Sequence, residues 1–194
     1  MSSPPTNHDC ILLGRQFKDV HVWRPGDKSW IIEKNVTTNL RFILSFQGQF
    51  YALDYPSGYL VTFQVLPIRV KNLDVPPPID FFHIINHGIF LVESYEEILL
   101  VCVLVRGHEL DVCDLKNKTW INMENLGDRV LFLNDNSRQT FSVSAHAIGC
   151  HDNGIYLIDR WSNHAYIIKN GCAKRIAREP QHFRHQFWII PSYS

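Results

Sequence analysis

His83 and His87 stand four residues apart, the spacing at which two imidazoles on one helical face would share a zinc ion. Their setting, Phe81-Phe-His-Ile-Ile-Asn-His-Gly88, reads instead as a strand and turn, and it lacks the glutamate of the metalloprotease motif. Cys150 and His151, with Cys172 or His146, offer mixed ligands, but none of them is paired at metal-ligand spacing. An isolated buried cysteine behaves as a small apolar residue. Ser142, Ser144, His146 and Asp152 are the residue types of a hydrolase triad. They crowd onto one strand and its turn, and no Gly-x-Ser-x-Gly elbow lifts a nucleophile out. The alternation Phe141-Ser-Val-Ser-Ala145 puts both serines on one strand face, lining a sheet rather than an acyl-transfer site. Asp54, Glu93 and Asp159 each close a strand, where a carboxylate accepts N–H bonds from the turn. Phosphate-cradling glycine loops of the Walker or dinucleotide type are missing. No residue is therefore assigned a catalytic, metal-ligating or cofactor-binding role. The chain is read as a non-enzyme that needs no cofactor.

Elements that would position such side chains follow from the composition. The chain has 194 residues, 45% hydrophobic and 12% aromatic, enough to bury a core and too apolar for bulk disorder. Nineteen Lys and Arg balance nineteen Asp and Glu, so the basic surplus that displaces counterions from a nucleic acid is missing. Five cysteines, an odd number without a CxxC pair, point to reduced thiols. The opening Met1-Ser-Ser-Pro-Pro-Thr-Asn7 has no apolar leader, so the sequons at Asn35 and Asn117 are expected to stay unmodified. The longest apolar run, Ile98 to Val105, falls short of the about 20 residues a bilayer span needs. The expectation is a soluble protein of the cytoplasm or nucleus, with neither a nucleic acid nor a membrane as partner.

Period-two and short continuous apolar runs dominate. Val20–Trp23, Phe42–Phe46, Phe50–Leu53, Leu60–Phe63, Ile89–Val92, Ile98–Val105, Val130–Leu133, Phe141–Val143, Ile155–Ile158 and Ala165–Ile168 are separated by Pro, Gly, Asn and Asp turns. The spacing predicts hairpins and an all-β fold. Three segments repeat a glycine followed by aromatic, any, aliphatic, acid: Gly48 with Tyr51 to Asp54, Gly88 with Phe90 to Glu93, and Gly154 with Tyr156 to Asp159. A second repeat is a strand, a charged turn and a tryptophan, ending at Trp30 and Trp120. Those tryptophans lie 90 residues apart, twice the roughly 45 residues of a propeller blade. Blades bury their faces on their neighbours, and each blade's Trp or Tyr is expected between the sheets. The length holds about four blades, which predicts a β-propeller-like, incomplete ring of antiparallel strands.

Arg24-Pro-Gly-Asp-Lys-Ser-Trp30, Leu126-Gly-Asp-Arg-Val-Leu-Phe-Leu133, Phe141-Ser-Val-Ser-Ala145, Gly149-Cys150, Asn153-Gly-Ile-Tyr156 and Trp188-Ile-Ile-Pro-Ser192 occur in that order. Together they resemble the KIB-type β-propeller domain of plant F-box proteins, over nearly the whole chain from Cys10. The resemblance implies a flexible stretch over 1–9 and a partial propeller domain over 10–194. It also implies recruitment of a protein substrate in an SCF-type ubiquitin ligase. No F-box precedes these blocks, so contact with the Skp1-type adaptor is not expected from this stretch.

Loops gathered at one end of such a scaffold are expected to bind a protein partner. Arg24 to Ser29, Leu115 to Thr119 and Asp128-Arg129 are the candidate segments, and turn chemistry explains them equally, so no binding residue is named. Lys169 to Arg184 is a basic stretch that reads as a solvated turn and edge strand, with an acidic partner patch as its functional counterpart. Val75-Pro-Pro-Pro78 reads as a stiff connector. Two further readings stand beside the interaction module: a truncated propeller fragment without independent function, and an enzyme using the propeller channel.

Overall fold

Short β-branched and aromatic runs punctuated by Gly, Pro, Asn and Asp fold locally into hairpins. A computed structural model of the chain describes residues 10–16, 19–34, 39–65, 67–77, 88–104, 107–135, 139–149, 153–158, 165–169 and 172–177. Among them the secondary structure is sixteen strands in four sheets and one turn of helix. The expected strands, where described, are all strands. The chain divides into two compact units, Met1–Phe81 with Asp114–Trp120, and Phe82–Cys113 with Ile121–Ser194.

The first unit holds two sheets. One is β1 (Leu12–Gln16), β2 (Asp19–Trp23) and β3 (Ile31–Glu33), in that order. The other runs β4 (Leu40–Phe46), β5 (Gln49–Asp54), β6 (Leu60–Val65), β7 (Ile68–Val75), every neighbour antiparallel. Alternation along β2 buries Val20 and Val22, which join Phe50, Ala52, Val61, Phe63 and Val65 in one apolar cluster. Phe50 and Phe63 are cross-strand partners, and their rings stack with centroids 5.5 Å apart.

In the second unit, β8 (Gly88–Ser94), β9 (Glu97–Leu104) and β10 (Gly107–Asp114) form consecutive antiparallel pairs of the third sheet, whose remaining strand, β11 (Thr119–Asn122), straddles the boundary between the two units. The fourth sheet comprises β12 (Arg129–Asn134), β13 (Gln139–Ser144), β14 (Gly154–Ile158), β15 (Ala165–Lys169) and β16 (Cys172–Ala177). A single helical turn, α1 (Ala145–Ile148), leads from β13 toward β14. Phe90, Val92, Leu99 and Val101 of the third sheet pack on Leu131, Leu133, Ile155 and Leu157 of the fourth, with Leu126 sealing the cluster. Face-to-face burial of this kind is what the blade repeat predicts.

Two local expectations change. The sheets were expected to be antiparallel throughout, but β12 and β14 pair in parallel, Val130 opposite Gly154 and Asn134 opposite Ile158. The cause is topological. The chain lays β13 on one side of β12, and α1 then carries it back to start β14 on the other side. The pair buries Val130, Leu131, Leu133, Ile155 and Leu157, as parallel pairing favours, while the half-buried Phe132 stacks on Tyr156 at 4.9 Å. The second change is Trp30. It was expected between sheets, yet it is 47% exposed, because β3 is the edge strand beside which no further strand of this sheet lies among the described residues.

Candidate interaction surface

Each candidate turn is built on an aspartate. In the first, Asp27 N–H donates to Arg24 C=O (3.0 Å) and Asp27 Oδ2 accepts the Arg24 N–H (2.9 Å). Trp23 Nε1 donates to Asp27 C=O at 3.2 Å, and Gly26 takes φ +97°, where a side chain would be strained. The second turn follows the same plan. Asp114 Oδ1 accepts N–H bonds from Lys116 (3.0 Å) and Asn117 (2.9 Å), and Asn117 Nδ2 donates to Asp114 Oδ2 (2.7 Å). The Asn117 N–H, foremost among these bonds, holds the Asp114 carboxyl below its ordinary value. Lys118 Nζ pairs with Asp74 Oδ2 at 3.0 Å, an exposed contact of small energetic weight.

The third segment is a structural pin. Leu126 is 1% exposed, and its N–H donates to Asn153 Oδ1 at 2.8 Å. Asp128 Oδ2 accepts from Ser144 Oγ (2.7 Å), its Oδ1 accepts from the His146 N–H (3.2 Å), and its C=O accepts from the Ala145 N–H (2.7 Å). One aspartate thus fastens the start of β12 to the first turn of α1. The Ser144 hydroxyl, and after it the His146 N–H, hold the Asp128 carboxyl below its usual range. Arg129 Nη1 meets Glu97 Oε2 at 2.6 Å, its Nε donates to Leu126 C=O at 2.9 Å, and its guanidinium sits 5.6 Å from the Tyr95 ring centroid.

The other sequence candidates divide clearly. His83, His87, Cys150, His151, Asp152 and Asp159 lie outside the described residues. Cys172 falls in β16, and of the basic stretch Lys174 is exposed. Ser142 Oγ shares a 2.7 Å hydrogen bond with the fully buried Ser94 Oγ and so ties β13 to β8. Ser144 is the N-cap of α1: its hydroxyl gives its proton to Asp128 and accepts the Ala147 N–H. With Asp152 outside the described residues, Ser144 and His146 are instead gathered by Asp128, a helix cap in which the serine donates to the aspartate and His146 contributes its backbone N–H rather than its imidazole. Asp54 Oδ2 accepts from the Ser57 hydroxyl at 2.8 Å, where a turn N–H was expected, and Glu93 is exposed on β8. Among the described residues no three His, Cys, Asp or Glu side chains are grouped as metal ligands. No helix among them is long and apolar enough to cross a membrane.

One feature of the first unit was not anticipated from the sequence. A cleft of about 810 Å³ lies against β5, β6 and β7, and Arg24, Arg69 and Lys71 are among its lining residues. The signal was present in Ile68-Arg-Val-Lys71, where two cations recur at period two along a strand.

A family model described as KIB1-4 beta-propeller matches residues 1–178. A curated F-box/kelch-repeat protein of Arabidopsis thaliana is 29% identical over 113 residues. That match covers 58% of this chain and 28% of the relative, so the chain spans well under half of the protein it resembles.

Proposed function

The chain belongs to the KIB1-4 β-propeller family, and on that premise we propose that it is a non-catalytic protein-interaction domain that recruits a target protein to an SCF-type ubiquitin ligase. Its β-propeller fold and its likeness to an F-box/kelch-repeat protein support an interaction role. The observation that carries the reading is the use made of polar groups in the family-like blocks. Asp128, Arg129, Ser144 and Asn153 spend their hydrogen bonds on one another's segments, on Leu126, α1 and β9, which leaves a rigid scaffold that holds out exposed turns to a partner. In this reading the domain occupies 10–194 and works inside the cell, and contact with a Skp1-type adaptor is the task of an F-box rather than of this domain.

Affinity purification of the tagged chain from plant cells tests both levels. A stoichiometric protein recovered together with Skp1-type and cullin subunits is the expected result. Recovery of that protein with neither ligase subunit contradicts the ligase assignment, and recovery of no stoichiometric protein contradicts the interaction role.

A further inference from the structure

The chain is neutral overall, yet its cations are not evenly spent. Among the described residues the ion pairs are Lys118–Asp74 and Arg129–Glu97. Arg24, Arg69 and Lys71 are exposed, have no carboxylate partner there, and all line the same cleft, whose lining includes no Asp or Glu. The strand register explains part of the clustering. Gln64 stands opposite Arg69 and Thr62 opposite Lys71, so the two cations and their neutral polar neighbours share one face of β6 and β7. Arg24 comes from the aspartate-built turn after β2, which fixes its backbone. Phe63, Val65 and Val70 also border the cleft, with their side chains turned into the core cluster on the opposite face of the sheet.

We infer that this cleft holds an acidic, extended segment of a partner protein. The inference rests on the interaction role proposed above and names the chemistry of the partner. The volume lies within the range of about 300–1,000 Å³ typical of ligand sites. Three cations that line one cleft, without a carboxylate partner among the described residues, attract carboxylates more strongly than any one of them alone. They also steer an acidic partner into register. Gln64 adds a neutral donor and acceptor suited to a peptide backbone, and Thr62 Oγ1, whose proton goes to the Phe50 carbonyl at 2.9 Å, keeps acceptor capacity. A nucleic acid is disfavoured by the neutral chain and by a lining without an exposed aromatic platform for bases.

The bland explanation is that Arg69 and Lys71 merely guard β7, the edge strand of its sheet, against wrong pairing. Glutamates would guard that edge equally well, so charge reversal separates the two. The purified chain is titrated into a short fluorescein-labelled peptide of alternating glutamate and valine, with a lysine–valine peptide and a single-stranded oligothymidylate as comparators. The expected result is saturable, salt-sensitive binding of the glutamate peptide alone. R69E/K71E should weaken it by about tenfold or more with an unchanged melting temperature, and Lys174→Glu should leave it intact. Equal binding by R69E/K71E, equal or tighter binding of either comparator, or no saturation by about 1 mM would overturn the inference. If R69E/K71E retains a stoichiometric cellular partner as the wild type does, the interaction role stands and the acidic segment is wrong. If the wild type recruits no partner at all, the interaction role itself has failed.

Discussion

Asp128 shows how a conspicuous motif residue can be structural. Its carboxyl is held by Ser144 and the His146 N–H, and its titration is depressed below 3.8. A carboxyl whose value falls on folding stabilises the fold above the unfolded value and loses that contribution as pH drops through the folded one. Asp128→Asn is therefore expected to melt below the wild type at neutral pH, with the gap closing as pH falls under 3.8. A gap independent of pH, measured by thermal denaturation across that range, would contradict the assignment. Arg129 is a second residue whose work is internal: Arg129→Met removes the Glu97 pair and the Leu126 carbonyl bond at once. Hydrogen bonds to charged groups contribute about 1.5–3 kcal/mol, so urea denaturation should show a loss of about 2 kcal/mol. These roles could not be read from Leu126-Gly-Asp-Arg129, because the partners Glu97, Ser144 and Asn153 are 16 to 32 residues away in sequence and meet the motif only after folding.

Strands and turns were far more legible, since they rest on local chemistry. Alternation placed β2, β4–β6, β8, β9 and β12–β15, and Pro, Gly, Asn and Asp marked turns between strands. The repeated glycines looked equivalent but are not. Gly48 is needed for its φ of +75° between β4 and β5. Gly88 is needed for space, because a Cβ there would sit 3.1 Å from the Phe90 ring. What escaped the sequence was whatever depends on strand order: the parallel β12–β14 pair and the edge position that exposes Trp30. Phe90 lies at the middle of the third sheet's buried face, 2% exposed. Phe90→Ala should cost about 3–5 kcal/mol in denaturant unfolding, the range for an aromatic removed from a packed core. A loss under about 1 kcal/mol would mean that the two sheets of this unit do not bury each other as described.

At the scale of the whole molecule, sheet packing and function join. All-β character and blade-like repeats were written into the chain because one four-stranded sheet cannot cover both of its own faces. The partner was not, because binding surfaces are assembled from turns whose residues also satisfy turn chemistry. The cleft with Arg24, Arg69 and Lys71 required two sheets to be in place before its cations could be seen together. The central claim is that this scaffold works by holding another protein. Its most direct test is quantitative affinity purification of the tagged chain beside Phe90→Ala and His146→Ala. A protein retained near one-to-one by wild type and His146→Ala, and lost with the destabilised Phe90→Ala, is the predicted result; no protein above background on the folded wild type would contradict it.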